Sequence, residues 1–170
     1  VELTLEELRA VAGFAVACAE PVLRIFETAR PEDGRPREAI EVAREFAGGG
    51  RRTKAMRDCA WAAQRAAGEA RDLGFEAAWE AGRAALAAAG AGYLHPLEKA
   101  TQVKHILGAA GHAGRAVELE VGGDSGVRYV EGVVGVASGV VVGVLRRYPG
   151  APGGGGRGGE LVRLLDGLLR

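Results

Sequence analysis

Thr4 and Glu7 open the first regular segment of the chain, and the residues from Leu5 to Phe26 then repeat at helical spacing. Thr-x-x-Glu has the form of a capping box, in which the hydroxyl accepts a free amide of the first turn while the carboxylate reaches back to the cap. Leu5, Leu8, Ala12, Ala15, Ala19, Val22 and Phe26 follow at alternating intervals of three and four, the stripe that a packed helix buries. Val11, Cys18 and Ile25 run beside it at seven-residue intervals. Most of the circumference is therefore apolar, and this helix is expected to be the central one. Pro21 lacks a backbone donor and crowds the preceding turn, which predicts a kink or two abutting helices.

The rest of the chain extends the helical pattern. Arg30 to Gly34 reads as a turn, followed by a helix with Ala39, Ile40, Ala43, Phe46 and Ala47 inward, ended by Gly48-Gly49-Gly50. Residues 55–91 hold 16 alanines in 37 positions, a composition that favours helix and allows close packing. It divides into helices over 54–72 and 75–89, broken near Leu73-Gly74, with Trp61, Phe75 and Trp79 expected as core anchors. Pro96 suits the first turn of a further helix, carrying Leu97, Ala100, Val103, Lys104, Leu107 and Ala110 and running to about Glu120. A last amphipathic helix over 160–169 is expected to present Leu161, Leu164, Leu165 and Leu168 to the body.

The segment 122–159 holds 14 of the 28 glycines. Its valine-rich middle fits either two short helices or a β-hairpin turning at Ser138-Gly139, since valine favours strands and glycine weakens helices. Helices are preferred because a lone hairpin would lack an edge to pair with. In the helical form, Gly132, Gly135, Gly139 and Gly143 would make a small-residue stripe for a close neighbour. The apolar run from Gly132 to Leu145 is 14 residues, short of the roughly 20 that span a bilayer. The expected architecture is an all-α, single-domain bundle over 1–170, of about six to eight helices.

Lysine and arginine (22) balance aspartate and glutamate (22), so no global positive field draws the chain to nucleic acid or anionic lipid. Residues 1–50 nevertheless carry 6 basic and 10 acidic groups, and residues 51–170 carry 16 and 12. Glu32, Asp33, Glu38, Glu41 and Glu45 are the candidates for contact with a basic protein partner. Cys18 and Cys59 form no close-spaced framework and read as buried thiols of a cytoplasmic protein.

Catalytic constellations are scarce. Glu98, His105 and His112 recur at seven-residue intervals, near one face of the helix predicted from Pro96, with Lys104 beside them. Seven positions separate side-chain origins by roughly 10 Å, too far for metal ligands on one helix. These four residues are instead the candidates for lining a ligand pocket. Arg51, Arg52, Lys54 and Arg57 cluster at a helix start, either as a solvated loop or as an anion site. No P-loop occurs, and neither cysteine has the electropositive setting of a nucleophile. No cofactor or metal is expected.

Several segments carry a family resemblance: Leu3 to Arg9, Cys18-Ala19-Glu20 to Phe26-Glu27, Asp33-Gly34-Arg35-Pro36-Arg37-Glu38-Ala39-Ile40, His95-Pro96, Lys104 to Ala110, and the corner Arg146-Arg147-Tyr148-Pro149 before the leucine-rich end. Together they resemble the all-α immunity proteins of bacterial polymorphic toxin systems, the fifth numbered family of that kind. The resemblance implies a non-catalytic binding protein whose partner is a toxin. A small helical ligand-binding regulator or enzyme, using the pocket candidates, is the competing reading.

Overall fold

The computed structural model describes residues 1–170. Helix α1 (Leu5–Ala19) starts on the capping box: the Thr4 amide donates to Glu7 Oε2 at 2.9 Å and the Glu7 amide to Thr4 Oγ1 at 3.1 Å. A 3-10 turn over Glu20–Val22, with Pro21 in it, leads to α2 (Leu23–Ala29). Proline is tolerated there because a new helical turn begins and its missing donor is not needed. The remaining helices are α3 (Arg35–Ala47), α4 (Lys54–Asp72), α5 (Glu76–Ala91), α6 (Val103–Val121), α7 (Ser125–Val133), α8 (Gly139–Leu145) and α9 (Gly156–Leu169). Counting α1 and α2 as one bent helix gives eight, and no strand is present.

The glycine- and valine-rich segment is helical. Ser138 caps α8, its hydroxyl accepting the Val141 amide at 3.3 Å. The arms Ser125–Val136 and Gly139–Leu145 meet at a bend of 111°, and no single helix is long and apolar enough to cross a membrane. The expected small-residue stripe is not used: a Cβ placed on Gly132, Gly135, Gly139 or Gly143 would meet nothing within 4 Å. Close approach occurs elsewhere. A Cβ on Gly82 would come within 2.8 Å of Ala67 Cβ, and one on Gly114 within 3.2 Å of the Gly126 carbonyl oxygen. Glycine therefore sets the α4–α5 and α6–α7 spacings.

The buried side chains form one continuous cluster that draws on every α-helix. Leu8, Ala12, Ala15, Ala19, Val22 and Phe26 of the first stripe lie in it, whereas Leu5 is exposed. The central position is not held by α1 alone. Helix α5 packs against α1, α2, α3, α4 and α6, because its alanines let neighbours approach from several sides.

This close packing also reverses the expectation for the aromatics. Trp61 is 56% exposed and Phe75 43%, while Trp79 is half-buried between two guanidinium groups. Trp61 lies off the buried stripe of α4, which Gly82 and Ala67 bring close to α5, and Phe26, Ile40, Phe46 and Met56 fill the core instead. At the far end Leu161 and Leu165 are buried, but Leu168 is exposed and Leu169 takes the inward position.

The helix predicted from Pro96 begins seven residues later, at Val103, after a 3-10 turn over Ala100–Gln102. Side chains and tertiary contacts claim the backbone groups that a helix start would use. Gln102 Oε1 accepts the His95 amide at 2.9 Å, His95 Nδ1 accepts the Leu97 amide at 3.1 Å, and the Tyr148 hydroxyl donates to the His95 carbonyl at 2.8 Å. Leu97 is consequently exposed and Glu98 lies in an exposed loop.

Candidate functional site

Where the loop before α9 covers α5 and α6, the three segments enclose a cavity of about 370 Å³. Arg83, Leu86, Ala87 and Gly90 form its α5 wall and Lys104, His105, Gly108 and His112 its α6 wall, each set recurring at helical spacing. Residues 152–155 with Gly158, Gly159 and Val162 close the third side. Seven of the sixteen lining residues are glycines, so the space exists because side chains are missing. Gly108 shows this directly: an added Cβ would sit 3.8 Å from Ala87 Cβ, in ordinary contact. It is therefore not demanded by helix approach.

The covering loop is tied to α9 from below. Arg163 Nη1 donates to the Pro152 and Gly154 carbonyls at 3.1 and 2.7 Å, and buried Asp166 accepts the Ala151 amide at 2.8 Å. Gly154, Gly155 and Gly156 all have positive φ, a backbone path that side chains disfavour. Gly159 leaves no space for a methyl group, since a Cβ there would lie 2.1 Å from the Gly154 carbonyl oxygen. The glycine run thus forms the third wall of the cavity with a backbone path that other residues would not follow.

Behind the α5 wall lies the buried carboxylate Glu80. Its Oε2 lies 2.8 Å from His112 Nδ1 and its Oε1 accepts from Arg83 Nη1 at 3.2 Å. Burial pushes this carboxyl up, but the His112 hydrogen bond and the nearby charges of His112, Arg83 and Arg115 outweigh it and hold its pKa below the ordinary value. Glu80 is therefore ionised and accepts only, which places a proton on His112 Nδ1. His105 is oriented differently: its Nδ1 lies 3.2 Å from the Gly90 carbonyl, an acceptor that fixes the neutral ring as the Nδ1–H tautomer. Burial lowers the His105 pKa, and the Gly90 contact opposes this only in part.

Of the four residues considered for a pocket, the structure brings Lys104, His105 and His112 to one cavity and leaves Glu98 outside it. Glu98 is separated because it precedes the helix instead of lying on it. Arg83 and Glu80 were not among the candidates. Glu80 is legible in hindsight as a carboxylate one residue before Ala81 and four before Ala84, both buried.

Among the acidic candidates, Glu38, Glu41 and Glu45 are exposed along the outer side of α3, and Glu32 is exposed in the turn before it. Asp33 differs from them, since its carboxylate receives the Arg35 Nε at 2.9 Å and Nη2 at 2.7 Å while Arg35 also grips Glu69. The cluster at the start of α4 is engaged internally. Arg52 and Arg57 lie over the Tyr93 ring at 5.6 and 5.0 Å, and Lys54 pairs with Asp58. Cys18 is fully buried and its thiol is pushed up to about 12 by desolvation. Cys59 is only half-buried, contrary to expectation, and burial followed by the charges of Glu38 and Asp58 raises its pKa. Neither thiol is primed as a nucleophile.

The sequence profile of the family described as "Imm-5 like putative immunity protein" matches residues 2–131. The chain belongs to that family. The match covers α1 to α6 and most of α7, so it includes the exposed row on α3 and both helical walls of the cavity, and stops before the glycine loop. No curated protein and no solved structure gives a significant match to the chain.

Proposed function

We propose that this protein acts by binding and neutralising a bacterial toxin, occluding it without catalysis. Membership of the immunity protein family over residues 2–131 carries this reading. The exposed row Glu38, Glu41 and Glu45, continued by Glu32, supports a docking face for a basic toxin surface. Complementary charge accelerates encounter and fixes orientation. The two free thiols, one fully buried, fit action in the cytoplasm.

The test pairs the protein with the product of an adjacent toxin gene. Co-purification and loss of toxin activity are expected. The combined change Glu38→Lys, Glu41→Lys and Glu45→Lys should slow association at low salt by about 10-fold or more, with an unchanged circular dichroism spectrum. A toxin that neither binds nor is inhibited would refute the reading, and an unaltered association rate would move the contact off α3.

A further inference from the structure

We propose that the cavity between α5, α6 and the glycine loop is a binding site for a small molecule that joins an anionic phosphate or carboxylate group to an apolar body. The cavity stands apart from the α3 face, and nothing in the toxin reading requires it. Its lining contains Arg83 and Lys104 as permanent cations, on opposite helical walls, together with two imidazoles and no carboxylate. The carboxylate behind the wall, Glu80, is already held by His112 and Arg83. Lys54 is the one lysine with a carboxylate partner, so Lys104 contributes an uncompensated charge.

An anionic group entering between these walls would pair with the exposed Lys104 and lie near the partly buried Arg83 guanidinium, a charge-assisted interaction that needs no rearrangement of the helices. Leu86, Ala87 and Val162 supply apolar surface in the same cavity. A volume of about 370 Å³ falls at the lower end of the range for small-molecule sites, roughly 300–1,000 Å³. It is larger than a bare ion needs and small for a folded partner's surface.

Phenyl phosphate and benzoate serve as probes because they share a ring and differ in the anionic group, and benzyl alcohol is their neutral counterpart. Binding is followed through the ring signals of the three histidines in heteronuclear NMR spectra, at constant pH and ionic strength. Saturable shifts of His105 and His112, with His95 unmoved, are expected for at least one of the two anions, and the tighter of them identifies the preferred group. Lys104→Ala should weaken that binding by about 10-fold, whereas Lys99→Ala, an exposed lysine outside the cavity, should not. Gly108→Leu, which fills the space without removing a charge, should abolish it. The proposal is overturned if neither anion saturates by about 10 mM, a concentration corresponding to marginal affinity. It is equally overturned if benzyl alcohol binds as well as the anions, or if Lys104→Ala and Gly108→Leu leave the shifts intact.

Discussion

Arg147 grips the carboxylate of Glu7 across 140 residues of chain, and Glu7 is the same residue that closes the capping box of α1. One carboxylate thus serves the first turn and the corner before the C-terminal region. Arg147 Nη1 also reaches the Glu2 carbonyl at 2.8 Å, while its neighbour Arg146 donates to the Arg170 carbonyl at 2.8 Å. The corner Arg146-Arg147-Tyr148 therefore joins both ends of the chain to one place.

Hydrogen bonds from Arg147 and then from the Thr4 amide lower the Glu7 pKa from 4.5 to about 2. A carboxylate depressed in the folded state stabilises above its unfolded pKa, and that contribution is lost as pH falls from about 4.5 to about 2. Glu7→Gln should cost about 1–2 kcal/mol near neutrality, combining a weakened cap with a lost ion pair. The measurement is the urea midpoint of both proteins against pH. Their curves should converge in the acid limb; a gap that persists undiminished to about pH 2 would show that the loss is not electrostatic.

Trp61 carries a second prediction, because its exposure contradicts its size. Trp61→Ala should change stability by no more than about 0.5 kcal/mol, as for other surface sites, whereas Phe46→Ala should cost about 3–5 kcal/mol. Denaturant titration separates the two. A large loss at Trp61 would mean that the ring is covered in solution, for instance by a partner copy.

These outcomes show where the sequence was informative. The capping box, the Leu5-to-Phe26 periodicity, the Pro21 break and the Leu73-Gly74 break are local signals, and local hydrogen bonding enforces each of them. The Trp61, Phe75 and Trp79 assignment failed because size indicates core only when the space exists. The approach of Gly82 to Ala67 holds α4 and α5 close together, and this is a tertiary property. Glu98 was misplaced for a similar reason: Gln102, His95 and Tyr148 claim the backbone around Pro96, and Tyr148 is far in sequence from the predicted helix start. His105 and His112 share a cavity because a helix repeats its face every seven residues, whereas the supply of the opposite wall by Arg83 and the pairing of Glu80 with His112 emerge only in the folded chain.

Two glycines within helices should respond oppositely to alanine. Gly68 lies inside α4, where an added Cβ meets nothing within 4 Å, so Gly68→Ala should stabilise by about 0.5–1 kcal/mol through propensity and reduced unfolded-state entropy. A Cβ on Gly82 would come within 2.8 Å of Ala67 Cβ, and Gly82→Ala should destabilise by about 1–3 kcal/mol through overpacking. Thermal midpoints moving in opposite directions are the expected result. A stabilising Gly82→Ala would mean that α4 and α5 can separate without cost.

His105 makes stability depend on pH in a window distinct from that of Glu7. Its pKa is held below the ordinary 6.5, first by burial, with the Gly90 carbonyl opposing. The unfolded chain therefore takes up the proton more readily than the folded one, so stability is complete above about 6.5 and declines as pH falls toward the lower folded value. Glu7 titrates below this range, and His95 is exposed. His105→Gln removes the titrating ring while keeping a donor for Gly90. The wild-type urea midpoint should fall between about pH 7 and pH 5.5, and the variant's should fall less, as linkage requires when a titrating group is removed. Parallel curves would show that protonated His105 is tolerated in the fold, its Nδ1–H still bonded to the Gly90 carbonyl and the added proton on Nε2 solvated.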